Sequence, residues 1–74
     1  MTAPKLMYAV DVARLLGWGD DRWAVQRARR WMERNGLVDR DGRRFVTTPA
    51  RLREIFPASQ LDLLEAIDDW ESTP

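Results

Sequence analysis

The segment from Arg22 to Arg34 has room for only one buried stripe, and that stripe decides what can pack around it. With successive residues ~100° apart on a helical wheel, Ala24, Val25, Ala28, Trp31 and Met32 share an arc of about 120°. The opposite arc carries Trp23, Arg27, Arg30 and Arg34 at i, i+4, i+7 and i+11, flanked by Arg22, Gln26, Arg29 and Glu33. Solvated helix faces are usually stabilised by mixed signs at i, i+4, whereas this segment has five arginines and one glutamate. Asp20 or Asp21 is placed to cap the start, where a carboxylate also suits the positive helix end, and Gly36 is placed to terminate it after Asn35.

The flanking segments read as short elements. Leu6-Met7-Tyr8 suggests a brief strand after a disordered start over Met1 to Lys5. Ala9 to Leu16 follows as a helix buried along Ala9, Val12, Ala13 and Leu16, closed by Gly17, with Trp18 between Gly17 and Gly19. Leu37-Val38 and Arg44 to Thr47 then suggest the two strands of a hairpin, turned at Asp41-Gly42 and decorated by Arg40, Arg43 and Arg44. Thr48-Pro49 is a helix start with Leu52, Ile55 and Phe56 as its buried stripe, and Pro57 stops it. Ser59 is expected to cap a last helix, with Leu61, Leu64 and Ile67 near one line and Leu63, Ile67 and Trp70 near the next. The expected fold class is mainly α with a small β-hairpin, organised as an arm (1–7), a central domain (8–56) and an acidic helix with tail (57–74).

Residue inventory narrows the chemistry. A chain of 74 residues supports one thin core, because a domain that small buries only ~60% of its unfolded surface. Histidine and cysteine are both absent, which removes imidazole bases, thiolate nucleophiles and thiolate zinc sites. Asp68, Asp69 and Glu71 have the chemistry of a hard-cation or paired-carboxylate site, but nothing else in the sequence joins them. No catalytic residue, cofactor or metal site is therefore expected, and the chain is not expected to be an enzyme. The apolar runs are too short for a membrane span, and Met1 to Leu6 is too short and polar for a signal peptide, which points to a cytoplasmic protein.

The formal charge of zero conceals a division along the chain. Residues 1–56 hold all twelve basic side chains against seven acidic ones (+5), while residues 57–74 hold five acids and no base (−5). A short helix, a glycine turn, a helix with one basic face and a basic hairpin are the parts of a winged helix-turn-helix. Such a helix fits the major groove, where arginine discriminates guanine by ~1–3 kcal/mol per paired contact, with the hairpin arginines near phosphates. The candidate DNA contacts are Arg22, Trp23, Gln26, Arg27, Arg30, Arg34, Arg40, Arg43 and Arg44.

Trp23 has several readings: packing against the hairpin or the acidic helix, stacking on arginines, self-association, or a wedge against the sugar-phosphate backbone. Trp18, Trp31 and Trp70 are expected in the core. Beyond its apolar stripe the acidic helix is expected to be solvated. The alternatives are that it repels DNA and so orients the domain, binds a partner protein, or forms a dimer contact.

Tyr8 to Gly17 resembles the opening helix of the MerR-type and excisionase-type helix-turn-helix families. Arg30-Trp31-Met32-Glu33-Arg34-Asn35-Gly36-Leu37-Val38 is similar to the MerR run of arginine, two aromatics, glutamate, arginine, any residue, glycine and leucine, with Met32 in place of the second aromatic. Asp41 to Thr47 followed by Thr48 to Leu52 resembles the excisionase wing and closing helix. The resemblance covers about residues 8–56, and the interval from Gly17 to Leu37 is several residues longer than either family usually shows. It implies a phosphate-contacting role for Arg30 and wing contacts for Arg43 and Arg44. Without a long dimerisation helix or effector domain, a small transcription regulator or an excisionase-like factor of the phage or mobile-element type is expected. It would bind double-stranded DNA as a homodimer or as a cooperative array on repeated sites. The alternative is a protein–protein interaction module that kept the winged scaffold without binding DNA.

Overall fold

In the computed structural model, which describes residues 5–38 and 44–72, the chain runs β1 (Met7–Tyr8), α1 (Ala9–Leu15), α2 (Arg22–Arg34), β2 (Val46–Thr47), α3 (Pro49–Ile55) and α4 (Leu61–Ser72). Among the described residues the protein is mainly helical with one small sheet, in which β1 and β2 pair antiparallel, Met7 opposite Thr47 and Tyr8 opposite Val46.

Two helix endings of the same kind fix the path of the chain. At the end of α1 the Trp18 N–H donates to Ala13 O (2.9 Å) and the Gly17 N–H to Arg14 O (3.0 Å). At the end of α2 the Leu37 N–H donates to Met32 O (2.8 Å) and the Gly36 N–H to Glu33 O (3.2 Å). Both are Schellman closures, which need a left-handed residue one position before the last donor. Gly17 (φ +77°) and Gly36 (φ +70°) supply it without a Cβ penalty. Helix starts are equally local: Asp21 accepts from the Ala24 N–H (2.7 Å), and Thr48 Oγ1 from the Arg51 N–H (3.4 Å).

The expected hairpin is corrected by these bonds. Leu37 and Val38 form no strand; the partner of β2 is the N-terminal strand. The Leu37 N–H is committed to closing α2 and its side chain is buried in the core, so the residue is unavailable as a ladder partner. The Asp41-Gly42 turn lies outside the described residues.

Met7, Val12, Met32, Leu52 and Ile67 are the largest side chains sealed completely, joined by Ala9, Ala13, Ala24, Ala28, Leu37 and Phe56. Each of β1 and the four helices thus contributes to one cluster, and Ile67 brings α4 into it. Alanines at 24 and 28 let α1 approach α2 closely, in keeping with the stripe read from the sequence. Trp18, Trp31 and Trp70 are only partly buried, packed against the margin of the cluster, and Trp31 stacks on Phe56 with ring centroids 5.8 Å apart. In α4, Leu63, Leu64 and Trp70 join Ile67 on the packed side, whereas Leu61 is exposed.

Three further local expectations change. Helix α1 ends at Leu15, one residue early, because Leu16 takes the cap position. Ser59 does not cap α4: the helix begins at Leu61, Gln60 O accepts from the Leu63 and Leu64 N–H groups, and Ser59 lies inside the turn closed from the Gln60 N–H to Pro57 O. Lys5, expected in a disordered start, donates to Trp70 O (3.1 Å) with its ammonium 4.5 Å from the Trp70 ring centroid.

Candidate nucleic-acid interface

Burial of Ala24, Ala28 and Met32 fixes the rotation of α2, and the residues opposite them form the candidate surface. Arg22, Trp23, Arg27, Arg29, Arg30, Glu33 and Arg34 are exposed, with Gln26 half-buried. Trp23, at 76%, is the most exposed large apolar side chain among the described residues.

Charge on this face is uncompensated. Ion pairs among the described residues include Arg14 with Asp20 (3.2 Å) and Arg53 with Asp68 (2.5 Å) and Glu71 (2.9 Å). None involves Arg22, Arg27, Arg29, Arg30 or Arg34. Asp20 braces the α1–α2 turn and Asp21 caps α2, so these two carboxylates serve structure, which leaves Glu33 as the one acid within a helix of five arginines. The outer carboxylates of α4 are partly spent likewise. Arg53 holds Asp68 and Glu71 across the α3–α4 contact, and its hydrogen bond to Asp68, followed by that to Glu71, pushes the guanidinium pKa above its ordinary value. These two acids therefore engage a cation from their own chain, and among the described residues no group of three potential ligands is placed to hold a metal ion.

Two edges bound the basic face. Residues 27 and 29 are two positions apart, about 160° around the helix when measured through the exposed side. At one edge the Arg27 guanidinium lies over the Trp18 ring, 4.1 Å from its centroid. At the other, the Arg29 guanidinium lies 5.6 Å from the Phe45 centroid. Beside Arg29 an open cleft of about 450 Å³ runs between α2, β1 and the approach to β2, with Tyr8, Val25, Arg44 and Phe45 among its walls. Aromatic support of this kind restricts a long side chain while leaving its N–H groups outward, at ~0.5–1 kcal/mol per exposed contact.

Of the nine candidate contacts, Arg22, Trp23, Gln26, Arg27, Arg30 and Arg34 share the α2 face, and Arg44 is exposed beside its Arg29 edge. Arg40 and Arg43 lie outside the described residues. Arg29 was missing from that set although it carries one edge. Its place at the border of the wheel, four residues after Val25, was the available signal. Among the described residues the rings beneath arginines are Trp18 and Phe45, and none of these contacts involves Trp23.

The fold and face together define a small, mainly helical domain with a two-stranded sheet and one helix presenting unneutralised arginines. Comparison with known proteins finds no matching family, no matching curated protein and no matching solved structure. No helix among the described residues is long and apolar enough to cross a membrane.

Proposed function

We propose that this domain binds double-stranded DNA by laying α2 in the major groove, with the segment leading into β2 beside it. The observation that carries the reading is the set of five arginines on α2, all exposed and none in an ion pair among the described residues, while Arg14 and Arg53 elsewhere are paired. An α-helix with its side chains is about 10–12 Å across, close to the width of the major groove, and unneutralised arginines release counterions when they meet phosphates.

The MerR-like and excisionase-like sequence runs support the same reading and suggest a small cytoplasmic transcription regulator, or a factor that arranges DNA for recombination in a phage or mobile element. A face this small makes few base contacts, so two copies or an array on repeated sites would supply the affinity of a specific complex. A second reading, a winged-helix-like scaffold that binds a protein, is favoured by Trp23 and Leu61, which expose large apolar surface at 76% and 63%.

The discriminating experiment is a fluorescence-anisotropy titration of labelled duplex at about 50 mM salt, repeated with Arg27→Ala and Arg30→Ala. The DNA reading expects binding that weakens with added salt and with either substitution. No duplex binding, or binding indifferent to both changes, sinks it in favour of the protein-binding scaffold.

A further inference from the structure

The two edges of the α2 face differ from its centre. Arg27 and Arg29 each rest on an aromatic ring supplied by another part of the fold, Trp18 from the α1–α2 turn and Phe45 from the approach to β2. Arg30, between them on the wheel at about 60° from Arg27 and about 100° from Arg29, has no such ring contact among the described residues and stands on the exposed side beside Glu33 and Arg34. A helix in the major groove has base edges in front of it and one phosphate chain on either side, so cations on its two borders and its midline meet different chemistry.

We propose that Arg27 and Arg29 are phosphate contacts to opposite strands of the duplex, each held ready by its ring, while Arg30 between them lies against base edges. The inference rests on the DNA-binding reading and goes beyond it by dividing the face into positioning and reading residues. It also reassigns Arg30, to which the family resemblance gives the phosphate role.

The surroundings of Arg29 fit a sugar-phosphate chain in two respects. The cleft beside it offers the apolar side chains of Val25 and Phe45 to a deoxyribose face, and it places Arg29 and Arg44 among its walls for the phosphate. The surroundings of Arg27 fit a fixed contact for another reason. Trp18 is anchored by its own N–H to Ala13 O, so the ring under the guanidinium is part of a helix ending and not of a loose loop. An arginine fixed in this way loses less side-chain freedom on meeting a phosphate.

The test combines salt dependence with sequence preference. Affinities of the wild type, Arg27→Ala, Arg29→Ala and Arg30→Ala are measured against a preferred duplex selected from a random pool and against its single base-pair variants, over a range of salt. Arg27→Ala and Arg29→Ala are expected to weaken all duplexes by a common factor and each to lower the slope of log K against log salt by about 0.9, the loss of one phosphate contact. Arg30→Ala is expected to relax preference at one base-pair position, by about 5- to 150-fold, the equivalent of ~1–3 kcal/mol. Arg27→Lys and Arg29→Lys keep the charge and helix propensity and should retain the wild-type slope, which separates lost contact from lost fold. If either edge variant instead shifts preference at one position with its slope intact, or if all three alanine variants behave alike, the division is overturned while DNA binding stands. If the wild type binds no duplex, the DNA reading and the division fall together.

Discussion

The Arg27 guanidinium carbon sits 4.1 Å from the centroid of the Trp18 ring, a contact between the exposed face of α2 and the residue that closes α1. It links the helix ending to the candidate interface, because the hydrogen bond that terminates α1 also sets the ring on which the arginine rests.

That contact predicts coupling. Trp18→Leu should weaken duplex binding although residue 18 lies outside the predicted contact set, and Arg27→Ala should cost less in the Trp18→Leu background than in the wild type. A double-mutant cycle on duplex affinity, with an expected coupling of about 0.5–1 kcal/mol, checks it. Strict additivity would show that the stack does not organise the arginine.

Gly17 predicts a stability effect that owes nothing to crowding. An added Cβ there meets no atom within 4 Å, but φ is +77°, so Gly17→Ala should cost about 1–2 kcal/mol through backbone strain alone. Urea unfolding measures it, and an unchanged midpoint would show that the α1 ending can be rebuilt without the left-handed residue.

Much of this architecture was legible in the sequence, and the exceptions share a cause. The stripe of α2, a cap at Asp20 or Asp21, the cap at Thr48 and the terminators Gly17 and Gly36 are local features, set by residues within a turn of one another, and the structure places the first cap at Asp21. Leu37-Val38 was ambiguous for a physical reason: two apolar residues after a glycine serve equally well as the start of a strand or as the hydrophobic end of a Schellman closure. The choice depends on Met32 O and on the core space awaiting Leu37. The pairing of β1 with β2 joins residues about forty apart through two-residue strands, too short to carry a register signal. Arg27 and Arg34 were legible as members of a basic face. The ring beneath Arg27 and the role of Arg29 were not, because both require knowing where Trp18 and Phe45 come to rest.

The place of Ile67 in the shared core predicts that the acidic helix is integral to stability. Ile67→Ala should cost roughly 2–5 kcal/mol, a large part of what so small a domain possesses, and should lower the thermal midpoint of the whole molecule in one transition. A separate low-temperature transition confined to α4 would contradict this.

Thr47 predicts a gain. Its Oγ1 is buried and has no hydrogen-bond partner among the described residues, while its backbone pairs opposite Met7 in the sheet. Thr47→Val keeps the shape, removes the orphan hydroxyl and should stabilise by roughly 1 kcal/mol, read from the shift in denaturant midpoint.

Trp23 predicts a spectroscopic response. At 76% exposure it is open to acrylamide, while Trp18, Trp31 and Trp70 are partly buried. Trp23→Phe should remove most of the readily quenched emission, and saturating duplex should protect that same component in the wild type. Quenching unaltered by bound duplex would take Trp23 out of the interface.

The most direct measurement is a nuclear magnetic resonance titration of the isotope-labelled protein with duplex DNA, following every backbone amide. The expected result is a contiguous set of shifts over Arg22 to Arg34 and at Arg44 and Phe45, with the exposed acidic side of α4, marked by Asp62, Glu65 and Asp69, unmoved. Shifts centred on α4, or no shifts at saturating duplex, would contradict DNA binding through α2.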